Sequence, residues 1–221
     1  MSIDHHPNDE LLLDYSSGAL DEGWSLAIAT HLALCPDCRQ TVRDMEAIGA
    51  SFLEGLSPTS VSTAISGAVF NQLSDNAAPL AEVDMTRRGI AEAPPTLPEP
   101  LRGYIGGDID CVPWQRLGLG AFQYRIPMEE QGLAVRLLKI PAGRPVPAHS
   151  HGGLELTLVL CGSFSDATGR YKRGDIQEVD ETLEHQPHVA VGMDCICLAV
   201  TDAPLRFSSF AARLVQPFIG I

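Results

Sequence analysis

Five prolines crowd the stretch between residues 79 and 100, at positions 79, 94, 95, 98 and 100, and the apolar pattern differs on its two sides. Proline fixes its own φ and donates no amide hydrogen, so a segment this rich in it continues neither a helix nor an inner strand. Residues 75–100 also carry many alanines and no periodic apolar face, which reads as a linker. Before it, apolar residues recur every three or four positions; after it come short β-rich runs, "AVRLLKI", "LELTLVL", "DIQEVD", "DCICLAVT" and "LRFSSF", separated by glycine turns. The expectation is a multidomain α and β chain: an all-α helical bundle over 1–74, the linker over 75–100, and an all-β barrel or sandwich over 101–221.

The helical half predicts four helices. Asn8 is a plausible N-cap for the first, with Asp9 and Glu10 in the first turn and Gly18 closing it. A second begins near Asp21 and is interrupted by Pro36; a third runs from about Asp37 to Glu54 with Val42, Met45, Ile48 and Phe52 as its apolar face; a fourth lies within 60–73, with Val61, Ile65, Val69 and Leu73 aligned. Such helices give a core too small to be stable without a staple.

The staple is legible in "HLALCPDC". His31 and Cys35 stand four residues apart on one helix face, and Cys38 follows across the Pro36 turn within reach of the same point. Thiolate and imidazole together favour four-coordinate zinc, and the His5–His6 pair is the only other histidine source in this half. A redox C-x-x-C normally opens a helix after a strand, whereas these cysteines join two helices; simple burial is the remaining alternative. The arrangement resembles the zinc anti-sigma domain, whose signature H-x3-C-x2-C is matched by His31, Cys35 and Cys38. That resemblance implies His6 as the fourth ligand, a structural zinc, and a helical clamp on an extracytoplasmic-function sigma factor.

Charge bears on the partner. Ten acids and two bases fall within residues 1–57, against thirteen and eleven within 101–221, and the whole chain carries −13. Phosphate backbones repel such an N-terminal part, so direct nucleic-acid binding is disfavoured and a basic protein is steered toward it; acidity for solubility alone is the plainer reading. The start lacks a basic segment followed by an apolar run, and no stretch reaches the roughly 18 apolar residues of a membrane span. A cytoplasmic protein without membrane contact is expected, in which six cysteines serve metal, redox chemistry or burial before disulfides.

The second constellation lies in "GRPVPAHSHGGLELTLVLCG". His149 and His151 share a face on extended backbone, Glu155 follows at an even spacing, and His185 can complete the set. Three imidazoles and one carboxylate hold zinc or another divalent transition metal, to activate a small molecule, to sense, or to brace the fold. The stretch resembles the first motif of the cupin family, G-x5-H-x-H-x3-E-x6-G, throughout. The second motif is met only at Gly174 and His185, because Asp180 and Thr182 occupy its proline and glycine positions. With "LDYSSGAL", "HLALCPDC", "DCICLAVTDAPLRF" and "QPFIGI", nearly the whole chain resembles ChrR-type anti-sigma factors. The resemblance implies a C-terminal cupin barrel needed for release of the sigma factor under singlet oxygen or related oxidative stress. It also implies a regulator by sequestration and no enzyme. Cys195 and Cys197 match the family's C-x-C; they share one face of a strand, which permits redox sensing, although two small core residues is the more economical reading. The competing reading is a metal-dependent cupin enzyme, dioxygenase-like, with a helical docking domain.

Overall fold

The computed structural model describes residues 2–60, 62–75, 95–118, 120–129 and 132–207. Val61, most of the expected linker and "QPFIGI" lie outside the described residues.

Asn8 opens α1 (Asp9–Ser17), its side-chain oxygen accepting from the Leu11 amide at 2.8 Å, and Gly18 closes the helix in the left-handed conformation. α2 (Glu22–Leu34) is buried on several sides through Trp24, Leu26, Ala27, Ile28 and Leu32, as a helix apolar nearly all round requires. α3 (Pro36–Glu54) starts on the proline itself, at the first helical position, where a missing amide costs nothing. α4 (Thr63–Asp75) and α5 (Glu99–Ile105) flank the proline-rich stretch.

The β-strands are β1 (Gln115–Gly118), β2 (Ala121–Arg125), β3 (Ala134–Ile140), β4 (His149–Ser150), β5 (Glu155–Cys161), β6 (Ser163–Ser165), β7 (Arg170–Lys172), β8 (Ile176–Val179), β9 (Glu184–His185), β10 (His188–Val189), β11 (Cys195–Thr201) and β12 (Arg206–Phe207). They form a six-stranded sheet in the order β1-β2-β3-β11-β5-β8 and two three-stranded sheets, β10-β6-β7 and β12-β4-β9, with antiparallel pairs. This is the all-β C-terminal part expected beside N-terminal helices.

Side chains alternate across the large sheet and divide the core in two. Leu156, Leu158 and Leu160 of β5, with Ile196, Leu198 and Val200 of β11, join the buried residues of α1 and α2 in one cluster. Val159, Cys195 and Cys197 point the other way and meet Phe164, Tyr171 and Val189 of the β10-β6-β7 sheet. α2 lies so close to β3 that a Cβ on Gly23 would stand 2.8 Å from Val135 Cγ2, so only glycine fits there.

Met1–Ala47 and Pro95–Ile221 form one compact unit and Ile48–Pro94 a second. The helices do not build a core of their own: α1, α2 and the start of α3 share the core of the sheet, while Ile48 and Phe52 of α3 and Ile65, Val69 and Leu73 of α4 are exposed. The periodicity correctly marked the apolar faces, and those of late α3 and α4 are exposed among the described residues. Among the described residues no helix is long and apolar enough to cross a membrane.

Candidate metal centres

At the joint of α2 and α3 the structure brings together His6, His31, Cys35 and Cys38, one ligand atom from each, all within 4.8 Å of one another. Cys38 Sγ stands 3.2 Å from His6 Nδ1 and 3.3 Å from His31 Nε2, and Cys35 Sγ stands 3.5 Å from His6 Nδ1. His31 is fully buried, and burial lowers its pKa to about 4, so the ring is neutral. Its Nδ1 lies 2.9 Å from the Gly174 carbonyl; the proton therefore sits on Nδ1 and the Nε2 lone pair faces Cys38. Burial, and then the neighbouring Cys35, push the Cys38 thiol up to about 12. Two soft sulfurs and two imidazoles aimed at one point are the donor set of a closed four-coordinate metal site, and the residues fit one.

The barrel supplies a second group. Pairing of β4 with β9 sets His149 opposite His185, and His151 follows two residues after His149. His151 Nε2 lies 3.1 Å from His185 Nε2, which lies 3.2 Å from His149 Nε2. The outer nitrogens are committed elsewhere: His149 Nδ1 donates to the Pro147 carbonyl at 2.8 Å and His185 Nδ1 to the Asp166 carboxylate at 2.7 Å. The two Nε2 atoms so left are both acceptors, and burial lowers the pKa of His149, which disfavours a bridging proton. Lone pairs meeting at 3.2 Å fit a cation between them, with Nδ1 held from outside as metal-bound imidazoles are.

Glu155, expected as a fourth ligand, is not in this group. It stands beside the outer side of His151, its Oε2 3.4 Å from His151 Nδ1 without hydrogen-bond alignment, and its Oε1 accepts from Thr157 Oγ1 at 2.8 Å. Burial opposes its ionisation, yet the His151 contact offsets this and holds the carboxyl below its ordinary value. β4 ends at Ser150 and the chain turns at Gly152 and Gly153 before β5, so strand alternation does not carry across, and Glu155 enters from the start of β5.

The weak second motif nevertheless delivers His185. Asp180 Oδ1 accepts from the Thr182 amide at 2.9 Å and from its hydroxyl at 2.6 Å, an Asp-x-Thr turn in place of proline and glycine. Asp166 repeats the motif with Thr168, at 2.8 and 2.6 Å, and its other oxygen accepts from both His185 and Gln177 Nε2. Against the effect of burial, these donors hold its carboxyl at about 2. Asp166 was not read as functional from the sequence; the Asp-x-Thr spacing was its only signal. His188 is exposed and outside both groups. Cys195 and Cys197 are buried with their sulfurs 3.5 Å apart, and the Cys195 contact together with burial raises the Cys197 thiol well above its ordinary value.

Residues 104–204 match the ChrR cupin-like domain family. Over 224 aligned residues, 100% of this chain and of the relative, the sequence is 45% identical to the anti-sigma-E factor ChrR of Cereibacter sphaeroides. The chain belongs to the ChrR family of anti-sigma factors. A chain of the crystal structure of Rhodobacter sphaeroides SigE in complex with the anti-sigma ChrR superposes with a TM-score of 0.78 at 41% identity, covering 91% of this chain and 100% of that one. The ChrR family is one of regulators, so the barrel is read as a regulatory module rather than as an enzyme.

Proposed function

We propose that this protein is a cytoplasmic anti-sigma factor that binds an extracytoplasmic-function sigma factor through its N-terminal helices, in a division of labour between residues 1–74 and 101–221. The observation that carries the reading is full-length similarity to ChrR, a chain of which was crystallised with SigE. Independent support comes from late α3 and α4, where Ile48, Phe52, Leu53, Leu56, Ile65, Val69, Phe70 and Leu73 are all exposed, Phe52 by 73%. Apolar surface of this extent marks an interaction site, and burying it on a partner supplies the binding energy. The acidic N-terminal part steers a basic partner toward it.

In this reading His6, His31, Cys35 and Cys38 hold a structural zinc, which suits two thiolates and two imidazoles in a closed tetrahedron. His149, His151 and His185, with Glu155 beside them, hold zinc or another divalent transition metal, and the barrel mediates release of the sigma factor under singlet oxygen or related oxidative stress. Burial and the raised Cys197 thiol favour a packing role for Cys195 and Cys197 over a redox one.

Transcription driven by an extracytoplasmic-function sigma factor of the same genome, with and without the protein, tests the first half. Phe52→Asp with Phe70→Asp is expected to relieve inhibition by about 100-fold while metal content stays at the native value. Full inhibition by that variant would remove late α3 and α4 from the interface. For the second half, His149→Ala with His151→Ala is expected to inhibit normally yet abolish induction of a sigma-dependent reporter by photosensitiser and light; normal induction would sink the barrel's role.

A further inference from the structure

Both histidines of the helical centre are oriented by the barrel. The turn between β7 and β8 presents the Gly174 carbonyl to His31 Nδ1. The next residue, Asp175, is completely buried, and its Oδ1 accepts from the Asp4 amide at 2.7 Å and the His5 amide at 3.2 Å, while Oδ2 accepts from the Lys172 amide at 2.8 Å. The Ile176 amide then donates to the His5 carbonyl at 3.2 Å. The residues just before His6 are thereby laid along the turn. Ile3 closes over Gly174, where φ is 93° and a Cβ would stand 2.6 Å from Ile3 Cδ1. On the far side of His6, Asn8 Nδ2 donates to the Glu178 carboxylate at 2.8 Å.

A buried carboxylate is costly unless its oxygens are occupied. Without the N-terminal segment, Asp175 Oδ1 would lose both of its amide donors. The segment and the carboxylate therefore hold one another, and His6 is carried into place by the arrangement. We propose that the β7–β8 turn is the outer shell of the helical metal centre, with Asp175 as its positioning residue, so that the barrel sets how long this centre retains its metal. The inference rests on reading His6, His31, Cys35 and Cys38 as a metal site. Outer partners of metal-binding imidazoles are commonly worth 10- to 100-fold in affinity, by fixing ring orientation before the metal arrives.

Cobalt(II) is the probe, in the full-length chain. A thiolate-to-cobalt charge-transfer band reports only the helical centre, because the barrel triad contains no sulfur. Decay of that band after excess chelator is the readout. Asp175→Ala is expected to speed the decay about 10-fold or more and to alter the band's shape; Ile3→Ala, which leaves every barrel residue in place, is expected to speed it several-fold. An unchanged decay in an Asp175→Ala protein whose barrel melts normally overturns the proposal. If Asp175→Ala does not fold, an unchanged decay in Ile3→Ala does the same. A native protein that gives no charge-transfer band fails at the earlier step, the metal site itself.

Discussion

Two thiols and two imidazoles converge at the joint of α2 and α3, whereas three imidazoles and no thiol converge in the barrel. The helical group gathers donors from a short coil and two helices, and its four members leave no position for another ligand. The barrel group is held by the rungs of one small sheet, with two of its outer nitrogens occupied by Pro147 and Asp166 and the Glu155 carboxylate beside His151. The contrast lies in the donors, sulfur with imidazole in one group and imidazole beside a carboxylate in the other. Thiolates with imidazoles favour a closed four-coordinate site, whereas imidazoles beside a carboxylate suit a wider range of divalent metals.

The sharpest way to break this comparison is Cys38→Ala. If the helical site braces the clamp, the variant loses one metal equivalent and its affinity for the sigma factor falls on the order of 100-fold or more, read by metal analysis and by in vitro transcription. Full inhibition by a metal-free protein would make both sites dispensable for holding. Next comes Asp166→Asn, which leaves His185 without a carboxylate partner. Metal affinity at the barrel is expected to drop about 10- to 100-fold, with the helical site and sigma inhibition unaffected, as followed by competition with a chelator.

Acid sharpens the comparison further. Burial depresses His31 below its unfolded value of 6.5, to about 4, so the unfolded chain binds the proton first. The stability this group contributes is present above pH 6.5 and is lost as pH falls toward 4, at up to about 1.4 kcal/mol per unit. Thermal melts of the metal-free protein between pH 7 and 4 are expected to show the loss, and a His31→Gln variant is expected to flatten it. The smallest effect contrasts the two cysteine pairs. Cys197→Ala is expected to cost about 1 kcal/mol in denaturant unfolding, leaving inhibition and light induction intact. Loss of induction would restore a sensing role to that pair.

How much of this was legible before the structure depended on the range of each contact. His31, Cys35 and Cys38 lie within eight residues, so helical spacing and one proline turn sufficed to align them. His149 and His151 were legible through strand alternation, and the helices and strands through their periods. Glu155 stands beside His151 across the Gly152–Gly153 turn, which strand alternation does not describe. Asp166 and Asp175 were illegible: their partners are 19 residues away at His185 and 171 residues away at Asp4, and backbone amides leave no mark in a sequence. Late α3 and α4 showed amphipathic periods that cannot tell an internal core from a partner's surface, since burial has the same chemistry in both.

The separation between Asp4 and Asp175 also orders events during synthesis. Asp4 and His31 are translated before the carboxylate and the Gly174 carbonyl that seat them, which follow 171 and 143 residues later. Contacts of such long sequence separation form late, after loop closure across the chain. A nascent helical segment therefore waits, with its thiols uncovered, until most of the barrel has emerged. Residues made early are among the last to find their place.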